Sequence, residues 1–489
     1  MTAAHAAATC LGYPRQGPDR ELKKATEAYW AGRIGAAELL DAAKEIRLGR
    51  LQEMRAAGLD EIPSNDFSLY DHVLDTAWML GALPPRFAAP AGDEDPAAAL
   101  DRYFAAARGA GGAEPLEMTK WFDTNYHYLV PELAPDTPFA LDASKVLAEF
   151  DEAKAQGVVT RPVLLGPVSF LLLSKAAPGA GPFEPIQLAD AVLPLYADLL
   201  AQLADRGAAW AQLDEPCLVL DQPAAVGELV ARVYEALAAA PRRPKILLAT
   251  YFGTPGDLLP VLAQSPVEGL ALDFTGAAAA NLDHLERIGG LPGKRLAAGL
   301  IDGRNIWAAD LGEALGRAER LARLSGELDV TASCSLLHVP LDLGAETVPA
   351  ELDGWLAFAR QKLDELVVLA RGLREGREAV AEALERNGEA RARRAGSPLT
   401  WVQAVRDRTA RVEEADARRT ATAERRAAAQ REALGLPELP TTTIGSFPQT
   451  AEVRKARAAW RRGALAEADY EAAMRAEIAA VVRAQEELG

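Results

Sequence analysis

Short apolar runs that end in polar residues, Gly or Pro recur as far as residue 333. They lie at 9–13, 61–66, 162–166, 209–213, 245–250, 269–273, 296–300 and 328–333. Between them run stretches with apolar residues at helical spacing, such as 188–203, 224–237 and 311–324. A short apolar run bounded in this way predicts a strand buried on both faces, and strands alternating with helices predict a parallel sheet. Eight of them predict an α/β fold, a (β/α)8 TIM-type barrel over residues 1–345, with the long insertion between the second and third strands lying over its mouth.

From 346 to 440 the pattern turns helical and rich in Ala, Arg and Glu, as in GREAVAEALERNGEARARR. Mixed-sign charge on helices predicts solvated faces that brace or link domains. Past LPELP at 436–440 the chain repeats its own beginning. An aromatic-Pro pair closes a strand (Tyr13-Pro14, Phe447-Pro448), Lys-Ala follows on the next helix (Lys24-Ala25, Lys455-Ala456), and an aromatic comes after it (Tyr29, Trp460). Gly32 and Gly463 then stand at matching positions, and Gly58 and Gly489 after them. Residues 441–489 are therefore expected to be the first strand-helix unit of a second barrel, a truncated start. A lone strand buried on both faces needs neighbours, so this unit either packs on the first domain or lacks its continuation.

Composition narrows the class. With 49% hydrophobic and 25% charged residues among 489, the chain reads as a globular enzyme. A formal charge of −17 repels polyanions, so neither nucleic acid nor an anionic membrane is expected as a partner. No run of about 18 apolar residues and no signal-peptide start occurs, which points to the cytoplasm. Cys10, Cys217 and Cys334 lie far apart, and the histidines show no HxC or HExxH spacing, so no metal is expected in this chain. Cys334 reads as a buried small hydrophobe. There is no GxxxxGK[ST] and no GxGxxG after a strand, which disfavours nucleotide hydrolysis and Rossmann hydride transfer.

Candidate chemistry concentrates at the strand ends. The first offers a helix opening with Arg20, Glu21, Leu22 and Lys23, where free amides and two cations suit a carboxylate-rich ligand. An ordinary helix with surface charges is the alternative. The insertion carries EMTKWFDTNYHY at 117–128, including Lys120, a polar and aromatic run that fits a binding loop, or else a core or interface patch. The fourth strand ends in Asp214-Glu215-Pro216, where two carboxylates at the barrel mouth suit acid/base work or a cation, the alternative being that Pro216 fixes the loop and Asp214 caps backbone amides.

Taken together, GYPRQGPDRELKKATEAYWAG, DFSLYDHVL, EMTKWFDTNYHYLVPE, VLLGPVSFL, LDEPCLVLD, ATYFG, AGLIDGRNIW, SCSLLHVP and TTTIGSFPQT resemble the cobalamin-independent methionine synthase family across essentially the whole chain. The resemblance implies two barrels face to face, the first a duplicate that lost its metal. It implies methyl transfer from 5-methyltetrahydropteroyltri-L-glutamate to L-homocysteine, in methionine biosynthesis. It assigns Arg20, Glu21, Leu22, Lys23 and Lys120 to the folate polyglutamate, and Ile444, Gly445 and Ser446 to homocysteine or methionine.

The family's cofactor is zinc, held by a His, two Cys and a Glu of the second barrel, without cobalamin. Those ligands and the proton-donating His are absent from this sequence, so no catalytic residue is assigned. Thr250 and Phe252 stand where the first barrel's own HxC would be, and Cys334 resembles a remnant of the last ligand. Without zinc a thiol with a pKa near 8.5 stays mostly protonated at neutral pH. The expectation is thus a monomeric chain inactive alone. The alternatives are a folate-polyglutamate-binding or scaffold piece that complements a zinc-bearing chain, and an independent enzyme using Asp214 and Glu215.

Overall fold

The computed structural model describes residues 6–88 and 95–488. Two compact units divide it, residues 1–401 and 402–489.

The first unit is built on parallel strands whose sheet order follows the chain: Pro63–Ser64, Arg161–Leu165, Trp210–Asp214, Lys245–Ala249, Gly269–Asp273, Leu291–Ile301 and Ser325–Ala332. Ala8 bridges Val330 and Thr9 bridges Glu61, both in parallel. That eighth segment, at the place expected from the first apolar run, sits between the last strand and the first and closes the ring. Apolar runs such as Gly269–Asp273 are buried at every position, because helices cover the outside and side chains fill the inside. The outer helices follow their spacing. Leu311–Leu321 buries Leu311, Ala314, Leu315, Ala318 and Leu321, and Asp310 caps it by accepting from the amide of Glu313 at 2.9 Å.

The barrel interior holds an ionic network as well as apolar side chains. Arg161, 1% exposed, donates to Glu61 at 2.5 Å, to the Gln212 side chain at 3.1 Å and to the Cys10 carbonyl at 2.9 Å. Arg295 donates to the other Glu61 oxygen at 2.6 Å and pairs with Asp329. Six barrel segments are cross-linked in this way, and the two guanidinium groups hold the Glu61 carboxyl below its ordinary value although burial pushes it up.

Helical material after the barrel differs from a solvated linker. Ala359–Glu375 buries Leu363, Leu366, Leu369, Ala370 and Leu373 in the main core, so residues read as part of a linker from 346 share the barrel's compact unit as far as 401. Mixed charge on one face of this helix hid an apolar stripe on the other. Among the described residues one helix, Pro185–Asp205, has the length and hydropathy to cross a membrane. Val192, Tyr196, Leu199, Leu200 and Leu203 of it are buried in the core.

In the second unit, helix Ala451–Arg461 is followed by Gly463, with φ 71°, and by helix Glu467–Leu488. In the first unit, Glu21–Trp30 is followed by Gly32, with φ 67°, and by Ala36–Ala57. Both second helices have 22 residues, so the repeat seen in the sequence is also a repeat of structure.

Candidate functional site

The strands deliver their C-terminal ends to one cavity of about 370 Å³, bordered by Arg15, Asp66, Leu165, Asp214, Tyr251 and His338. Helix His72–Met79 and the antiparallel ribbon of Met118–Lys120 with His127–Leu129 come from the insertion. Buried Asp71 joins them, accepting from the amides of Val73 and Leu74 as helix cap and from Leu129 at 3.2 Å. Burial pushes its carboxyl up to about 7.

The turn of the ribbon is where the dense run of 117–128 acts. Trp121 receives its backbone hydrogen bond from Thr124, donates to the Tyr126 carbonyl at 2.8 Å, and buries its ring. Tyr251 meets Phe252 with ring centres 4.8 Å apart, Phe252 meets Phe122 at 5.5 Å, and Phe122 meets Trp121 at 5.0 Å. Trp121 packs on His72 at 4.3 Å, His72 stacks on Tyr126 at 5.3 Å, Tyr126 reaches His338 at 6.4 Å, and His338 returns to Phe252 at 5.4 Å. These contacts close into an aromatic collar drawn from four separate stretches of chain. Phe122 and Phe252 both adopt left-handed backbone, φ 54° and 74°, a cost that bulky residues bear only where the surroundings enforce it. Arg304 helps to enforce it, pairing with Asp123 at 2.7 Å and lying 4.9 Å over Phe252.

Ionisation follows burial. His72 falls to about 3 and His338 to about 4, both chiefly because burial disfavours the imidazolium. Asp214 rises to about 7 by burial, against hydrogen bonds from Gln212 at 2.7 Å and the Tyr251 hydroxyl at 3.1 Å. Its neighbour points elsewhere. Glu215, fully buried, accepts from the amides of Val168 and Ser169 at 3.1 and 2.6 Å and from the Tyr234 hydroxyl at 2.7 Å. The capping role read for Asp214 therefore belongs to Glu215, because alternation along the strand end turns the two side chains to opposite sides.

The residues assigned to folate lie apart from this cavity's lining. Arg20, with φ 60°, precedes helix Glu21–Trp30, whose first turn has no side-chain cap. Lys23 is exposed, 3.8 Å from Glu27, and Lys120 is exposed on the ribbon opposite His127. Glu21 turns back to accept from the amide of Asp19 at 3.0 Å. Leu22 is 1% exposed in a small cluster with Ala43 and Phe67, so its side chain anchors the helix. Ile444, Gly445 and Ser446 lie exposed in an irregular stretch of the second unit.

Sequence reading placed Asp214 and the 117–128 run at the mouth. It missed His72, His338 and the group in which Lys145 meets Asp75 at 3.4 Å and Glu149 at 3.1 Å. The i,i+4 spacing of Lys145 and Glu149 was the one available signal.

Residues 7–326 match the family described as cobalamin-independent synthase, N-terminal domain, and residues 439–489 match its catalytic domain. The chain belongs to the cobalamin-independent methionine synthase family. Among its relatives, proteins of Streptomyces griseus and Streptomyces coelicolor are each 55% identical over the whole of this chain, and one of Mycolicibacterium paratuberculosis is 50% identical. All three are named 5-methyltetrahydropteroyltriglutamate--homocysteine methyltransferase. This chain covers 63% of their length, less than two thirds. A B12-independent methionine synthase of Shewanella sp. W3-18-1, solved in complex with selenomethionine, superposes with a TM-score of 0.53 at 15% identity, covering 79% of this chain and 100% of its own. That likeness supports the fold.

The family implies zinc, and the residues present do not supply its ligands. Among the described residues no three His, Cys, Asp or Glu side chains gather to hold a metal ion. Cys334 is fully buried, its thiol pushed up by burial, with its sulfur close to the backbone of Gly303. Thr250 is a buried hydroxyl and Phe252 part of the collar. The donor set does not fit zinc, and no step through a metal follows from these residues.

Proposed function

We propose that this chain serves the transfer of a methyl group from 5-methyltetrahydropteroyltri-L-glutamate to L-homocysteine, and that its first barrel holds the polyglutamate tail. The observation that carries this is 55% identity along the entire chain to relatives bearing that name. Exposed Arg20 and Lys23 at an uncapped helix start, with Lys120 on the ribbon, supply cations suited to carboxylates. Each exposed pair contributes about 0.2–1 kcal/mol, so affinity depends on several acting together and weakens with salt. Ile444, Gly445 and Ser446 are the proposed homocysteine segment, where Gly allows close backbone approach and the Ser hydroxyl can bond the amino-acid head.

The same reading places the chain in the cytoplasm as a monomer. It also holds that the described residues alone leave the homocysteine thiol unactivated, since none of them assembles a metal site. Titration with triglutamyl and monoglutamyl folate tests the tail contacts. The triglutamate is expected to bind more tightly, and Lys23→Ala and Lys120→Ala to reduce the difference. Equal affinity of the wild type for both folates refutes the assignment.

A further inference from the structure

The aromatic collar and the carboxylate beneath it are not used by the reading above. Five carboxylates border the cavity against three permanent cations, Arg15, Arg47 and Lys145. Most of the acids are answered. Asp66 pairs with Arg50, Asp75 and Glu149 share Lys145, and Asp142, which also has only neutral donors in Ser144 and Trp78, is exposed to water. Arg47 is itself taken by Glu152 in a two-pronged contact, both bonds 3.0 Å.

Asp214 is different. It faces the cavity and is held by two neutral donors, Gln212 and Tyr251, with no ion pair found for it among the described residues. Arg161 acts on it without pairing and lowers its proton affinity, but burial outweighs that attraction and raises it. The Tyr251 ring that bonds it belongs to the collar. Electron-rich ring faces attract cations, and two collar rings already carry one: Arg15 lies 5.6 Å over Tyr126 and Arg304 lies 4.9 Å over Phe252.

We propose that the mouth of the first barrel is a binding site for a small organic cation, an ammonium or amidinium group on an apolar body, with Asp214 as counter-ion and the collar as wall. The volume of about 370 Å³ falls at the small end of ligand pockets. Of the collar, His72, Trp121, Tyr126, Tyr251 and His338 line the cavity, and Phe122 and Phe252 pack against Trp121, Tyr251 and His338. This inference is independent of the folate reading, because Arg20, Lys23 and Lys120 do not line the cavity.

Calorimetric titration of the full chain at pH 8 with benzylamine, benzyl alcohol and benzoate tests it, the three probes sharing one ring and differing in charge. Benzylamine is expected to bind saturably and about tenfold more tightly than benzyl alcohol, which corresponds to about 1.4 kcal/mol, and benzoate more weakly still. Asp214→Asn is expected to remove the preference for the amine, and Lys23→Ala to leave it intact. Benzoate matching benzylamine, benzylamine failing to saturate, or Asp214→Asn keeping the full preference overturns the proposal. If Asp214→Asn does not fold, the order of the three probes on the wild-type chain decides alone. Loss of folate discrimination with amine binding retained would count against the other reading only.

Discussion

Asp214 and Glu215 are adjacent carboxylates, and removing their charges should change stability in opposite directions. In Asp214→Asn the amide keeps an oxygen for Gln212 and offers its nitrogen to the Tyr251 oxygen, so both hydrogen bonds survive. What disappears is the burial of a charge. The gap from 3.8 to about 7, at about 1.4 kcal/mol for each tenfold change in proton affinity, sets a ceiling of about 4 kcal/mol on the gain. Water in the cavity lowers it.

The pH dependence carries a sign that can be checked. The unfolded chain ionises this group near 3.8 and the folded one near 7, so the folded state binds more protons between those values. Wild-type stability therefore falls as pH rises from about 4 to about 7 and stays at the lower level above. The advantage of Asp214→Asn should be absent in acid and full at pH 8. Glu215→Ala behaves otherwise: two amides and the Tyr234 hydroxyl lose their acceptor, at about 1–3 kcal/mol for each buried unmet donor. A loss of about 3 kcal/mol or more is expected. Urea unfolding followed by circular dichroism at pH 5 and pH 8 measures both variants. If Asp214→Asn destabilises as much as Glu215→Ala, or its effect does not grow with pH, the division of roles is wrong.

Two further predictions use the same assay. Arg161→Met leaves Glu61 with Arg295 alone and strips a donor from Gln212 and from the Cys10 carbonyl. Breaking a buried pair in this way costs about 3–5 kcal/mol, and the deficit should shrink in acid, because the depressed Glu61 carboxyl stabilises above its ordinary pKa and loses that contribution as pH falls through its folded value. A deficit under about 1 kcal/mol at neutral pH contradicts this. Gly166→Ala would bring a Cβ to 2.2 Å from the Glu215 carboxylate; overpacking of this kind costs about 1–3 kcal/mol, and an unchanged urea midpoint would show that Glu215 can move aside.

Local pattern was enough to place all eight barrel segments, because each apolar run carries its own burial and each bounding polar residue its own turn. It was also enough for the internal repeat, where Gly32 and Gly463 mark the same left-handed turn, and for Cys334 as a buried hydrophobe. Residue types at strand ends pointed to Asp214 and to the aromatic run.

Only the tertiary structure decided what these groups do. Whether Asp214 or Glu215 caps a helix depends on which side of the barrel wall each faces, and that is set by packing around the ring. The collar draws Phe122 and Phe252 together across about 130 residues of sequence, a closeness that no local spacing records. Helix Ala359–Glu375 shows the same limit from the other side: its charged face was legible, but its place in the core depended on a barrel surface formed by distant strands.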